Sequence, residues 1–309
     1  MSKFFNETRK ALQQVSRAPR PAGAEIDVQE LVGAVKESMD HGGHGSLGGP
    51  ELTMKPLLAP PGGDEIASQV AAGRLQHCRI VRLPRNDEKS FLATRYNADL
   101  QAAVEAYRTL RTRLLKAQAK QGIRSLAITS TAQGEGKTLT ALNLALSYSH
   151  LQSRSVLLVD GDLRTKGLSR MLGLHQFTGL SDILDTGCPF HSAVLRTDFP
   201  DLYVLPAGTS STPPPELFAR ASWKEFVAWS GETFQMMFTD SPPVLDLADT
   251  ELILGACESV LLVTRAGKTK RQALMKVRDQ LDSKKLAGVV FNSCEEAAAK
   301  NYYRYSATG

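Results

Sequence analysis

Cysteine is scarce in this chain, and the cysteines that do occur are far apart. The 309 residues include four of them, at Cys78, Cys188, Cys257 and Cys294. No two have the close spacing of a zinc site, and the set does not resemble a disulfide framework. The sequence therefore predicts a protein of a reducing compartment.

Long apolar runs and a strong charge excess are also missing. No stretch approaches the roughly 18 to 20 apolar residues that cross a bilayer, and the opening MSKFFNETRKALQQ lacks the apolar core of a signal peptide. The net charge is only +5, whereas specialised nucleic-acid binders usually concentrate more charge. We expect a cytoplasmic protein without a nucleic-acid partner, recruited to the inner face of the plasma membrane by another protein.

The first part of the chain is rich in residues that break regular structure. The segments APRPAG, HGGHGSLGGPE and LLAPPGGDE surround two short helical patterns. They predict a flexible, partly helical N-terminal leader over residues 1–95. His41 and His44 lie in this leader, but two imidazoles on glycine linkers supply fewer ligands than a metal site needs.

A regular pattern begins near residue 96. The run NADLQAAVEAYRTLRTRLLKAQAKQ predicts a long amphipathic helix. Strand-like apolar runs follow, with helical segments between most of them: SLAITS, SVLLVD, LYVLPAG, QMMFTD, SVLLVT and AGVVFNS. Runs that are apolar on both faces indicate an α/β domain over residues 96–300, with a doubly wound, mostly parallel sheet and helices on both faces. Residues 301–309 form a separate tail.

The segment STAQGEGKT lies between an apolar strand and an apolar helix, which is the context of a phosphate-binding loop. Glycines let the backbone N–H groups converge on phosphate oxygens. Lys137 is expected to be an exposed side chain that reaches the β- and γ-phosphates, and Thr138 to hold Mg²⁺. An ordinary glycine-rich turn is the alternative, since Thr131 stands where the general pattern has its first glycine. The predicted nucleotide-binding run is Gly134, Glu135, Gly136, Lys137, Thr138 and Leu139.

Aspartates follow two of the predicted strands. SVLLVDGDLR places Asp160 and Asp162 two residues apart, so both carboxylates point the same way and suit one Mg²⁺ site and one proton acceptor. Arg164 adds positive charge near the transferring phosphoryl group. Asp240, in QMMFTDSPP, is expected to fix a magnesium-bound water. Helix capping is the alternative for these aspartates, and which of Asp160 and Asp162 is the base stays open. The predicted catalytic residues are Lys137, Asp160, Asp162 and Asp240, and the predicted metal ligands are Thr138, Asp162 and Asp240.

A DxD motif shortly after a phosphate loop, with DSPP later, resembles the deviant P-loop ATPases, which include chromosome-partitioning and cell-division-positioning enzymes. Those enzymes carry a lysine early in the loop, where this chain has TAQ. Glu105, Arg108 and Arg111 in EAYRTLR instead resemble the self-association helix of the bacterial tyrosine kinases, autokinases associated with capsule and exopolysaccharide synthesis. LPAGTSSTPPPELF, VTRAGKT and NYYRY match that family too, so the resemblance spans about residues 98–305.

This resemblance implies an ATP- and Mg²⁺-dependent autokinase that phosphorylates its C-terminal tyrosines in trans. The acceptors would be Tyr302, Tyr303 and Tyr305, which are fewer than many members carry. It further implies a ring-like homo-oligomer built through the Glu105 triplet, a transmembrane activator of the polysaccharide co-polymerase type, protein substrates in trans and a cognate phosphatase. Asn292 would contact the adenine.

Other interpretations remain at this point. The chain could be a positioning ATPase without kinase activity, or a scaffold that binds nucleotide without turnover. The triplet could be an exposed ion pair within one helix, the tyrosines a frayed terminus, and Asn292 a strand-end turn.

Overall fold

The structure is a computed structural model that describes residue 75 and residues 78–84, 98–151, 154–245 and 248–293, with the backbone alone for residues 98–102. The predicted leader helices, the two histidines of HGGH, Cys294 and the tail tyrosines lie outside the described residues.

Eight strands form one sheet in the order β1-β4-β5-β3-β6-β2-β7-β8. All neighbours pair in parallel except β4 and β5, which are antiparallel. Each of the apolar runs that predict strands forms one, which confirms the mostly parallel α/β sheet. The strands are β1 (Ile80–Val81), β2 (Ser125–Ser130), β3 (Val156–Asp160), β4 (Leu195–Thr197), β5 (Leu202–Leu205), β6 (Met236–Asp240), β7 (Ser259–Arg265) and β8 (Leu286–Asn292).

The predicted long helix is present as α1, which covers 24 residues. In the part of the chain that the structure describes, no helix combines the length and the apolar character needed to cross a bilayer. The helices are α1 (Ala98–Gln121), α2 (Lys137–Ser149), α3 (Gly167–Met171), α4 (Leu180–Thr186), α5 (Phe190–Ala193), α6 (Pro214–Ala219), α7 (Ala221–Thr233), α8 (Ala248–Ala256) and α9 (Arg271–Gln280).

Helices cover both faces of the sheet, as predicted. On β3, Val156 and Leu158 belong to a core cluster with α1 and α2, whereas Leu157 and Val159 belong to a second cluster with α4, α6, α7 and α8. Because both faces are buried, the central strands are apolar at successive positions instead of alternating with polar residues. The two clusters bury the sheet on both faces, and the loops of the site leave its carboxyl edge.

The strand pair β1 and β4 is not anticipated by the sequence patterns. Strand β1 pairs with β4, with Ile80 opposite Arg196 and Val81 opposite Thr197. Val81 and Leu83 are buried, so a segment assigned to the leader contributes a strand to the sheet. Strands of two and three residues are too short to show a periodicity. The domain boundary at residue 95 itself stays a prediction.

Candidate functional site

The predicted site residues lie at the carboxyl edge of the central strands. Strand β2 runs into the phosphate loop, β3 ends at Asp160 and β6 ends at Asp240, and these two aspartates are directly opposite in the β3–β6 register. In parallel sheets ligands bind at this edge, between the loops that leave the strands. The fold therefore brings together the loop and both aspartate motifs, which are separated in sequence.

The phosphate loop has the backbone shape that its glycines predict. Gly134 and Gly136 have φ values of +83° and +96°, in the left-handed region that side chains disfavour. A Cβ on Gly136 would also lie 2.0 Å from Nδ2 of Asn292. Helix α2 begins directly after this glycine, and the first N–H groups of a helix have no partner within it. The loop and this helix end together make an anion site.

Lys137 is buried between carboxylates, not exposed as the sequence led us to expect. Its Nζ lies 2.9 Å from Oδ2 of Asp162 and 3.6 Å from Oδ1 of Asp240, and only 7% of the residue is accessible. Burial alone would lower the pKa of Lys137, but the charges of Asp240 and Asp162 outweigh it and raise that pKa. Burial likewise opposes ionisation of Asp162, yet Lys137 holds the pKa of Asp162 below its usual value. Both groups are charged at neutral pH.

The aspartates at the strand ends are fully buried. Burial raises the pKa of Asp160 to about 7, with the charge of Asp240 as a further cause, and burial raises the pKa of Asp240 to about 6. Among the described residues, Oδ1 of Asp160 and both carboxylate oxygens of Asp240 accept no hydrogen bond. Buried polar atoms without a partner are rare in proteins and often mark a place for water, an ion or substrate.

The oxygens of this site suit a hydrated Mg²⁺ that the nucleotide helps to coordinate. Mg²⁺ takes hard oxygen ligands and usually keeps several waters beside a carboxylate and substrate phosphates. Within the described ranges, no group of three or more His, Cys, Asp or Glu side chains is arranged to hold a metal alone. Asp240 has Lys137 as an ion-pair partner at Oδ1, and its oxygens accept no hydrogen bond, which fits the predicted role of binding a metal-bound water. Thr138, Asp162 and Asp240 stay the predicted ligand set.

Glu135 has a structural role that the sequence analysis missed. Its carboxylate accepts hydrogen bonds from the Thr131 N–H at 2.7 Å, the Thr131 hydroxyl at 2.6 Å and the Ala132 N–H at 3.2 Å. The hydroxyl of Thr269, which lies just before α9 in the β7–α9 connection, donates to it as well. The side chain therefore shapes the loop at the position where the general pattern has a glycine. The sequence does contain a signal for this role, namely an acidic residue within a phosphate-binding segment. A carboxylate at such a place needs hydrogen-bond donors that compensate its charge.

Arg164 and Asn292 lie at the rim of the site. In this structure Nε of Arg164 is 3.1 Å from Oδ2 of Asp249 in α8. Nδ2 of Asn292 donates to the Glu135 carbonyl at 3.0 Å, and its Oδ1 accepts the N–H of Ser293 at 2.9 Å. Asn292 thus caps the end of β8 and touches the phosphate loop. Its contact with adenine, and that of Arg164 with phosphate, stay predictions.

The Glu105 triplet does not present one uniform surface. Glu105 and Arg108 form an exposed ion pair, as in the simpler interpretation of the motif. Nη1 of Arg111 instead donates to the Ser147 carbonyl at 2.6 Å, in the last turn of α2. A cation at this helix end is favourable because the helix dipole is negative there. Arg111 therefore attaches α1 to α2 within the chain.

The phosphate loop after β2, the DxD motif after β3 and the aspartate after β6 define a P-loop nucleotide-binding protein of the α/β class. Comparison with profiles of known protein families gives no match. Individual proteins do match. The tyrosine-protein kinase YwqD of Bacillus subtilis is 31% identical over 203 residues, which cover 65% of this chain and 85% of that protein.

Two further comparisons agree with this match. The tyrosine-protein kinase CpsD of Streptococcus agalactiae is 32% identical over 180 residues, which cover 56% of this chain and 76% of that protein. The solved BceF tyrosine kinase domain is 27% identical with a TM-score of 0.58, and the match covers 74% of this chain and 88% of that domain. The chain belongs to the bacterial tyrosine-protein kinases, and it is a protein-tyrosine kinase.

Proposed function

We propose that this kinase uses ATP and Mg²⁺ to phosphorylate Tyr302, Tyr303 and Tyr305 of a second copy of the chain, and that this reaction regulates capsule or exopolysaccharide synthesis or export. The observation that carries the catalytic part is the unpartnered Oδ1 of the buried Asp160, in the same site as the Lys137 cluster. A tyrosine hydroxyl has a pKa near 10 and needs a proton acceptor to act as a nucleophile at neutral pH.

Asp160 is better suited than Asp162 to be that acceptor. Both oxygens of Asp162 have donors, Lys137 at Oδ2 and the Thr165 N–H at Oδ1, and its pKa is lowered. Asp160 has one buried oxygen, Oδ1, that accepts no hydrogen bond, and burial raises its pKa to about 7, near the pH at which a general base works best. Asp160 therefore takes the hydroxyl proton, while Asp162 orients Lys137.

The remaining groups bind and orient the phosphates. The backbone N–H groups of the loop and the start of α2 hold the phosphate oxygens. Lys137 reaches the β- and γ-phosphates and neutralises charge that develops during transfer. Mg²⁺, held by Thr138, Asp162 and Asp240, would supply further positive charge to the same oxygens. Arg164 and Asn292 would contact the phosphates and the adenine from the rim.

The test is to incubate the purified chain with Mg²⁺ and ATP labelled on its γ-phosphate, and then to map the labelled residues. We expect phosphotyrosine in the C-terminal peptide that holds Tyr302, Tyr303 and Tyr305. Release of labelled phosphate without labelled protein would indicate an ATPase, and binding without turnover would indicate a scaffold. Label confined to other residues would contradict the tail as acceptor.

The proposed assembly is a ring-like homo-oligomer in which one copy presents its tail to the site of the next. The exposed pair Glu105 and Arg108 is the part of the triplet that is available for such a contact. A transmembrane protein of the polysaccharide co-polymerase type would recruit the ring to the inner face of the plasma membrane and activate it. A cognate phosphatase would reset the tail, and other proteins would be substrates in trans.

Replacing both Glu105 and Arg108 with alanine should reduce the size of the assembly and lower autophosphorylation, with little loss of thermal stability. An exposed pair of this kind contributes only tenths of a kcal/mol to folding. Arg111→Ala should instead destabilise the fold by about 1 to 2 kcal/mol, because it removes a charge-assisted hydrogen bond to the end of α2. Light scattering at matched concentration measures the mass, and melting curves measure the stability.

Arg113→Ala is the matched control for this experiment, since Arg113 is an exposed arginine of the same helix outside the triplet. Its mass and activity should equal those of the wild type. An unchanged mass in the Glu105 and Arg108 double variant would show that these two residues form only an ion pair within their own helix.

A further inference from the structure

Thr269 lies just before α9 and contacts the phosphate loop, although 134 residues separate it from Glu135. Its hydroxyl donates to Oε1 of Glu135 at 2.5 Å. The same hydroxyl oxygen accepts the N–H of Arg265, at the end of β7, at 2.8 Å. Because the oxygen receives this bond, its own proton is directed toward Glu135. Thr269 therefore joins the end of β7 to the carboxylate that shapes the loop.

The contact falls where the loop departs from the general phosphate-loop pattern. Thr131 stands at the position of the first glycine, and both its N–H and its hydroxyl donate to Glu135. The N–H of Ala132 donates there too. The Glu135 carboxylate thus fixes the first half of the loop, and only 4% of this residue is accessible. The N–H groups of the loop after Ala132 are those left to bind phosphate.

Two further hydrogen bonds connect the ends of β7 and β8 to the second half of the loop. Nη1 of Arg265 donates to the carbonyl of Gly134 at 3.2 Å, and Nδ2 of Asn292 donates to the carbonyl of Glu135 at 3.0 Å. The two strand ends therefore hold both halves of the loop. Thr269 is the link whose side chain can be changed without altering a charge or a predicted contact with adenine.

We propose that Thr269 is a positioning residue for nucleotide binding, which holds the Glu135 carboxylate so that the phosphate loop has its binding shape before a nucleotide arrives. The inference rests on the proposed binding of ATP at this loop. A loop that is free to take several shapes loses that freedom when phosphate binds, and the apparent affinity falls with the fraction of molecules that have the binding shape. Hydrogen bonds made in advance reduce this cost.

The effect should appear in the affinity for nucleotide, not in the rate of the chemical step. Once ATP is bound, its phosphates hold the N–H groups of the loop, so transfer starts from the same geometry with or without the Thr269 bond. A change that weakens the ground state and the transition state equally leaves kcat unaltered. The Glu135 carboxylate also keeps three donors without Thr269, so it stays hydrogen-bonded.

The test compares Thr269→Val with Thr264→Val, because valine keeps the branched shape of threonine and removes the hydroxyl. Thr264 lies in β7, and its hydroxyl donates to the Val290 carbonyl of β8 at 3.3 Å. The control therefore loses a hydroxyl that links two strands instead of one that holds the loop. We expect Thr269→Val to bind ADP about 5- to 10-fold more weakly, as measured by calorimetry in the presence of Mg²⁺.

The KM of Thr269→Val for ATP should rise by a similar factor, while its kcat for autophosphorylation at saturating ATP should stay within about 2-fold of the wild type. Thr264→Val should bind ADP as the wild type does. Melting curves show that each variant is folded.

Thr269→Ser keeps the hydroxyl and should restore the affinity of the wild type. Thr269→Ala should behave like the valine variant, and it takes the place of that variant if valine prevents folding. Unchanged ADP affinity in a folded variant without the hydroxyl, or an equal loss of affinity in Thr264→Val, would overturn the inference. A fall in kcat without a fall in affinity would overturn it too. A wild-type chain that does not bind ADP would instead overturn the proposal that nucleotide binds at this loop.

Discussion

Replacing Lys137 with methionine should lower tyrosine autophosphorylation by about 100- to 1,000-fold, the loss typical of removing one preorganised positive group from the reacting centre. The lysine is the cation held between Asp162 and Asp240 at the start of α2. Methionine has a similar shape but carries no charge, so the β- and γ-phosphates would lose their direct cationic contact. The rate of labelled phosphate incorporation at saturating ATP measures the effect.

The same substitution should also destabilise the fold, which the picture of an exposed loop lysine would not predict. Removing one partner of a buried ion pair leaves an uncompensated charge, at a cost of about 3 to 5 kcal/mol. Burial already raises the pKa of Asp240 to about 6, and without Lys137 this pKa would rise further. The pKa of Asp162 would rise as well, because Lys137 is the charge that holds it below its usual value. A carboxyl group with a raised pKa in the folded state destabilises the fold above its unfolded pKa. The difference in melting temperature from the wild type should therefore be larger at pH 8 than at pH 5.5.

Lys268→Met is a suitable control, because it removes an exposed lysine from the turn between β7 and α9. Its activity and its melting temperature should match those of the wild type at both pH values. Near-normal phosphotyrosine in a folded Lys137→Met protein would show that Lys137 does not bind the transferring phosphoryl group. If Lys137→Met and the wild type differ in melting temperature by the same amount at both pH values, buried carboxylate charges are not the cause of the destabilisation.

The central part of the fold follows directly from the sequence because its physical signals are local. Strands β2, β3 and β6 are apolar runs buried on both faces, each followed by a polar motif. Parallel pairing alone then brings these motifs to one edge, as it does for Asp160 and Asp240. The sequence predicts the phosphate loop equally well, because the positive φ values of Gly134 and Gly136 require glycine at these positions.

The features that the sequence did not reveal depend on contacts between distant segments. Strand β1 is only two residues long and exists because β4 offers it a partner. The sequence predicts that Arg111 belongs to an exposed triplet, yet its guanidinium donates a hydrogen bond to the carbonyl of Ser147, 36 residues away. Thr269 is 134 residues from Glu135, and its hydrogen bond to that residue becomes visible only when β2 and β7 are placed side by side. No periodicity or spacing rule encodes such pairs.

Replacing Tyr302, Tyr303 and Tyr305 with phenylalanine should reduce labelling of the chain to background if the tail is the acceptor. Phenylalanine keeps the ring and removes the hydroxyl, so the tail would still enter a neighbouring site without offering a nucleophile. ATP binding should be unchanged, because the phosphate loop and its carboxylates are untouched. Labelling as strong as in the wild type would show that another residue is the acceptor.

The size of the assembly provides a second measurement on the same variant. Each phosphotyrosine carries about −1.5 to −2 charges at neutral pH, so a fully phosphorylated tail would gain roughly −4.5 to −6. The carboxylates at the site add to this repulsion, and Lys137 is already paired with Asp162. The Debye length is about 8 Å at physiological salt, so repulsion at contact distance is only partly screened. A phosphorylated tail should therefore leave its neighbour and loosen the proposed ring. After treatment with ATP and Mg²⁺, light scattering should find smaller particles for the wild type than for the phenylalanine variant. Equal sizes, with the wild type fully labelled, would show that tail phosphorylation does not control assembly.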